Sequence, residues 1–127
     1  MAKVLGLGGL FFKSADPTAT REWYARVLGI AFADWGGTVF LPQAAAEHPG
    51  AATVFSPFDA STDYFEPSDQ PYMFNLMVDD LEGMLARCAE NGVEPVMTMM
   101  GEANGDFAHV MDPDGRKIEL WQPKPME

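Results

Sequence analysis

Residues 3–13, KVLGLGGLFFK, alternate as a strand does, with Leu5, Leu7, Gly9 and Phe11 on one side and Val4, Leu10 and Phe12 on the other. Both sides are apolar, so both are expected to be covered. At Asp16 the period lengthens. An acidic N-cap followed by Pro17 at the first helical position opens a helix. Its apolar stripe is Ala19, Trp23 and Val27 with Thr20, Tyr24 and Leu28 beside them, and Gly29 is placed to cap its end. From Ile30 to Phe58 the period returns to two. Gly36-Gly37 makes a tight turn between IAFADW and TVFLP, and a looser connection, AAAEHPGA, precedes TVFSPF; three strands are predicted there.

The stretch from Asp59 to Pro71, DASTDYFEPSDQP, is acidic and rich in turn formers, and reads as a connection between two halves. Its adjacent aromatics, Tyr64 and Phe65, are expected to tuck onto the body of the protein or to close over a ligand. The second half then repeats the order of the first. PYMFNLMV is a strand, and Asp79 with Glu82 three residues on suggests a capping box opening a helix that buries Leu81, Leu85 and Cys88. Asn91-Gly92 ends that helix. VEPVMTMM and GDFAHVM follow as strands, and Asp112-Pro113-Asp114-Gly115 forms a tight turn into RKIELWQP. Strand, helix, three strands thus occurs twice, over about residues 1–58 and 72–127 with the acidic linker at about 59–71. Each half alone would leave one sheet face bare. The fold class expected is α+β: two paired βαβββ modules making a curved mixed sheet with a concave cleft and helices on the outer face, the modules pairing within one chain or across a dimer.

Composition narrows the functions open to such a domain. A hydrophobic content of 47% is ordinary for a folded protein, and 127 residues suffice for one core without disulfides. The apolar runs, such as Val4 to Phe12, are broken by glycines and fall far short of the roughly 20 residues of a membrane span. No cleavable leader is evident, and a cytoplasmic location is expected. The single cysteine, Cys88, falls on a helix stripe and is read as a small core hydrophobe. A net charge of -11 argues against nucleic acid. No Lys or Arg lies between Arg26 and Arg87, a span that holds nine acidic residues. Solubility explains that first, a cation-attracting cleft second.

Three segments carry a resemblance: GLGGLFFKSADP with the helix TATREWYARVLGI, MVDDLEGMLARCAENGVEP, and DPDGRKIELWQP. In this order they resemble the vicinal oxygen chelate superfamily of glyoxalase I, bleomycin-resistance proteins and extradiol dioxygenases. The resemblance implies a small-molecule cleft and a homodimer, to which Met97, Met99 and Met100 would offer a soft apolar strip. It also implies four inward-facing metal-ligand positions, which fall on Gly9, Thr53, Met73 and Glu119. Only Glu119 keeps a ligand. A glycine, a neutral hydroxyl and a thioether do not suit the hard or borderline divalent ions of that family, so no metal or other cofactor is expected, and a divalent metal is the alternative. Neither histidine, His48 nor His109, aligns with a ligand position, and a one-residue register choice decides which face His109 takes.

If Glu119 faces the cleft, alternation puts Lys117 and Trp121 beside it, along with Phe11, Phe55, Met73, Asn75 and Met77; Trp35 would line the mouth, and Tyr64 is the aromatic that would close over a ligand. Desolvation there would raise the Glu119 pKa, as a general base needs, or the carboxylate would pair with Lys117 or an incoming cation. The leading expectation is a binding protein for a small, aromatic or cationic molecule. The alternatives are a lyase, isomerase or dioxygenase-type enzyme using Glu119 as base or metal ligand, and a non-catalytic dimer serving regulation or partner binding.

Overall fold

The computed structural model describes residues 1–125. Its ordered body is helix α1 (Pro17–Leu28), a short helix α2 (Pro42–Ala46), strand β1 (Phe74–Met77), helix α3 (Leu81–Glu90) and strands β2 (Met97–Glu102), β3 (Gly105–Met111) and β4 (Lys117–Pro123). The four strands form one sheet in the order β1-β4-β3-β2, with β1 parallel to β4 and the other pairs antiparallel. The fold class is α+β, as the alternating periods imply.

Local chemistry explains the helix ends. Asp16 caps α1 by accepting from the Ala19 N–H at 3.1 Å, and Gly29 ends it in the left-handed region at φ 74°, which glycine enters without a Cβ clash. At α3 the cap is Asp80, which accepts from the Gly83 N–H at 3.1 Å, one residue later than the Asp79 capping box that the spacing suggests. Both helices pack on one face of the sheet. Tyr24, Val27 and Leu28 of α1 and Leu81 and Cys88 of α3 are buried against Phe74, Val110, Ile118 and Leu120. Alternation along β4 turns Ile118 and Leu120 to the helices and Lys117, Glu119 and Trp121 to the other face.

The β3–β4 turn carries a buried ionic clasp. The Asp112 carboxylate accepts from the Tyr24 hydroxyl at 2.6 Å, the Arg116 guanidinium at 2.7 Å and the backbone N–H groups of Asp114 and Arg116. Arg116 also reaches the Tyr72 hydroxyl at 3.1 Å and the Lys13 carbonyl, and its guanidinium lies over the Phe12 ring at 4.7 Å. One guanidinium thus ties the end of the N-terminal arm, the lead into β1 and the turn together.

The first half departs from the strand readings given for it. Residues 3–13 and the segments between Ile30 and Phe58 run without strand pairing in this chain, and part of the AAAEHPGA connection coils into α2 instead. Ile30, Phe32 and Phe12 pack against the body, but most of the other apolar side chains stand in solvent: Val4 is 91% exposed, Phe11 92% and Phe55 88%. An extended segment becomes a strand only when an edge satisfies its backbone groups, and these segments pair with neither edge strand of the sheet, β1 or β2.

Replacing Arg116 with Met would leave the Asp112 carboxylate buried without its counter-charge. A loss of about 3–5 kcal/mol is expected, read as a lower urea midpoint, whereas an unchanged midpoint would mean the clasp contributes nothing net.

Candidate functional site

Register builds the site. Asn75 of β1 and His109 of β3 both stand opposite Glu119 of β4, and Met97 of β2 stands opposite His109, so one row crosses the sheet on the face away from the helices. A second row, Met77, Trp121, Phe107 and Met99, runs beside it. Phe107 and Trp121 stack at 6.0 Å with ring planes 1° apart, and the Trp121 indole N–H donates to the Asn104 carbonyl at 2.9 Å. A Cβ on Gly105 would come within 2.2 Å of the Gln122 carbonyl oxygen and 2.7 Å of the Trp121 indole nitrogen, so this close approach requires glycine.

Glu119, itself only 7% exposed, is the centre of the polar row. Its Oε1 accepts from Asn75 Nδ2 at 2.7 Å, and its Oε2 accepts from His109 Nε2 at 2.8 Å and from the Tyr64 hydroxyl at 2.5 Å. A carboxylate only accepts, so His109 carries a proton on Nε2, while its buried Nδ1 has no partner among the described residues. Burial by itself would push the Glu119 carboxyl up, but the hydrogen bonds from His109, Tyr64 and Asn75 outweigh it and hold the group below the usual carboxylate range. Burial and the adjacent carboxylate push the Tyr64 phenol well up, which keeps it a donor.

Tyr64 arrives from the acidic connection between Asp59 and Pro71, which lies across the sheet as a strap. The buried Lys117 ammonium holds that strap by donating to the carbonyls of Tyr64 at 2.6 Å and Glu66 at 2.9 Å. Burial pushes its pKa down against the attraction of Glu119, Asp63 and Glu66. Phe58 packs against both Tyr64 and Phe65, and the Tyr64 ring meets His109 edge-on at 5.3 Å.

Of the residues singled out from the sequence, Glu119, Lys117, Trp121, Asn75 and Tyr64 share this face, and half-buried Met73 lies just before β1. Three do not join them. The Phe11 ring folds over its own backbone at Gly9, Phe55 is exposed, and Trp35, 69% exposed, lies against Gly37. Each sits in a segment without a sheet to fix it. The Glu119 pKa moves down rather than up, because three hydrogen-bond donors outweigh its burial, and Lys117 engages strap carbonyls rather than the Glu119 carboxylate. His109 shares the face of Glu119; only the pairing of β3 with β4 decides this, and alternation within either strand leaves it open.

A profile of the Glyoxalase/Bleomycin resistance protein/Dioxygenase superfamily matches residues 12–120. The chain belongs to this superfamily. No curated protein matches it significantly. Among solved structures, the V. Cholerae integron cassette protein VCH_CASS1 is 18% identical over 96% of this chain and 98% of that one, with a TM-score of 0.55, a likeness of fold. A glyoxalase / bleomycin resistance protein from Catenulispora Acidiphila DSM 44928 is 21% identical over 84% and 88%, with a TM-score of 0.44. TnmS3, an antibiotic binding protein from Streptomyces sp. CB03234, is 35% identical over 40% of this chain, with a TM-score of 0.37; the match spans about two fifths of its length, 41%.

A metal of the kind this superfamily uses fits the donors here poorly. Gly9 and Thr53 lie in the unpaired first half, Met73 offers a thioether, and no group of three His, Cys, Asp or Glu side chains converges among the described residues. His109 and Glu119 supply two donors where a divalent catalytic site needs about three, and both oxygens of Glu119 already accept hydrogen bonds.

Because the folded Glu119 carboxyl sits below its unfolded value, the unfolded chain takes up the proton first as pH falls. The stability that Glu119 contributes is complete above the ordinary carboxylate range and drains away as pH drops through the folded value. Urea midpoints should therefore fall more between pH 7 and pH 3 for the native chain than for Glu119→Gln, and equal falls would show that the carboxylate is not held ionised.

Proposed function

We propose that this protein binds a small aromatic molecule bearing a hydrogen-bond donor or positive charge on the sheet face around Glu119, without a metal. The observation that carries this reading is the Glu119 carboxylate, buried on a sheet face with Trp121 and Phe107 alongside and kept charged by three donors. Small-molecule sites combine an apolar, aromatic lining with a few fixed polar groups in this way. The same three donors count against Glu119 as a general base, which needs a carboxyl pKa raised toward neutrality rather than lowered. The acidity of the chain favours cationic ligands further.

The reading includes a homodimer. The apolar segments of residues 3–13 and 30–58 stay unpaired and largely exposed in one chain, and pairing with a second copy would cover Phe11, Phe40 and Phe55. Light scattering should then give twice the chain mass; a monomer at micromolar concentration would refute this part.

Binding is tested by tryptophan fluorescence with aromatic amines and phenols. Saturable quenching at or below millimolar ligand is expected, lost in Trp121→Phe and weakened about tenfold or more in Glu119→Gln. No saturable quenching by any of these compounds would overturn the binding reading.

A further inference from the structure

The three donors on Glu119 differ in origin. Asn75 and His109 stand on the strands either side of β4, directly opposite Glu119, so the sheet itself fixes them. Tyr64 belongs to no strand. It comes from the strap, its ring is half-buried, and its surroundings form an aromatic seat: the edge of His109, the tilted ring of Phe58 at 5.8 Å, and the Lys117 ammonium 5.2 Å from its ring centre. The seat is therefore shaped for an aromatic ring with a donor aimed at Glu119 Oε2, and this chain fills it with its own side chain.

We propose that Tyr64 is a displaceable internal occupant of the ligand site, and that the ligand is a phenol or aromatic amine whose own O–H or N–H replaces the Tyr64 hydroxyl on Glu119 Oε2. This rests on the reading of the sheet face as a binding site. Displacement needs only the side chain to turn out, since Lys117 grips the strap by the backbone carbonyls of Tyr64 and Glu66. The strap's own turns, closed by Thr62 N–H to Asp59 O, Glu66 N–H to Asp63 O and Ser68 N–H to Phe65 O, do not involve the tyrosine ring. Exchange of one donor for another leaves Glu119 fully satisfied. A ring without a donor leaves a buried carboxylate oxygen one bond short, a loss of about 10- to 100-fold in affinity. Tyr64 thus competes with every ligand and selects among them.

The test uses 4-methylphenol, which is the Tyr64 side chain as a free molecule, against toluene, with binding to the full chain measured by NMR shifts of the Asn75 side-chain amide. Tyr64→Ala should bind 4-methylphenol about tenfold or more tightly than the native chain does, and about tenfold or more tightly than it binds toluene. Adding Glu119→Leu, which removes the acceptor, to Tyr64→Ala should erase the preference over toluene. Tyr64→Phe keeps the ring and removes only the donor, so it carries the test if Tyr64→Ala fails to unfold cooperatively; it too should bind 4-methylphenol more tightly than the native chain. Equal affinity for 4-methylphenol in the native chain and the Tyr64 variants would overturn the displacement. Equal affinity of Tyr64→Ala for 4-methylphenol and toluene would overturn the donor requirement. In either case Glu119-dependent quenching by aromatic amines would leave the binding reading standing, whereas no binding of any aromatic donor by any variant would overturn both.

Discussion

A carboxylate on a buried sheet face must be neutralised, paired or supplied with donors, and Glu119 takes the last course. The cost of desolvating it is met by three hydrogen bonds, two of them from residues that the sheet register sets directly opposite. That requirement organises the face. β4 must lie between β1 and β3 for Asn75 and His109 to reach the same carboxylate, and the strap must cross the sheet for Tyr64 to supply the remaining donor. Lys117, two residues before Glu119 on the same side of the same strand, holds the strap where that becomes possible.

The other face of the sheet supplies the rigidity this geometry needs. Ile118 and Leu120 alternate with Lys117, Glu119 and Trp121 and are sealed under α1 and α3, while the Arg116–Asp112–Tyr24 clasp fixes the turn that sets the β3–β4 register. A one-residue slip there would turn Glu119 into the helices and Leu120 to the opposite face. The polar row and the apolar core are thus two consequences of one register.

Much of this was legible in the chain. Helix ends follow from Asp16-Pro17 and Gly29, the β3–β4 turn from Asp112 to Gly115, and the pairing of Lys117, Glu119 and Trp121 on one side from simple alternation in KIELW. His109 was not legible, because its orientation depends on which residue of β4 it pairs with, and sequence period fixes alternation without fixing register. Nor was the sign of the Glu119 pKa, since burial and hydrogen bonding oppose each other and the donors lie 10, 44 and 55 residues away in sequence. The first half shows a different limit. Its alternating segments carry strand character, but a strand is a property of a pair, and Phe11, Trp35 and Phe55 reach no cleft unless a sheet edge receives them.

Membership of a superfamily with metal-dependent branches makes the metal the sharpest issue for a site built around one carboxylate and one imidazole. Only two histidines are present, and His48 is exposed, so the ring-nitrogen NMR spectrum of the full chain separates them readily. The most direct measurement is that spectrum taken in chelator and again with one equivalent of Zn2+ or Ni2+. If Glu119 is held by protein donors for an organic ligand, the His109 Nε2 signal stays that of a protonated nitrogen bonded to a carboxylate, unmoved by either ion. Conversion of that signal to a metal-bound nitrogen at one equivalent would contradict the metal-free site and make His109 and Glu119 ligands instead.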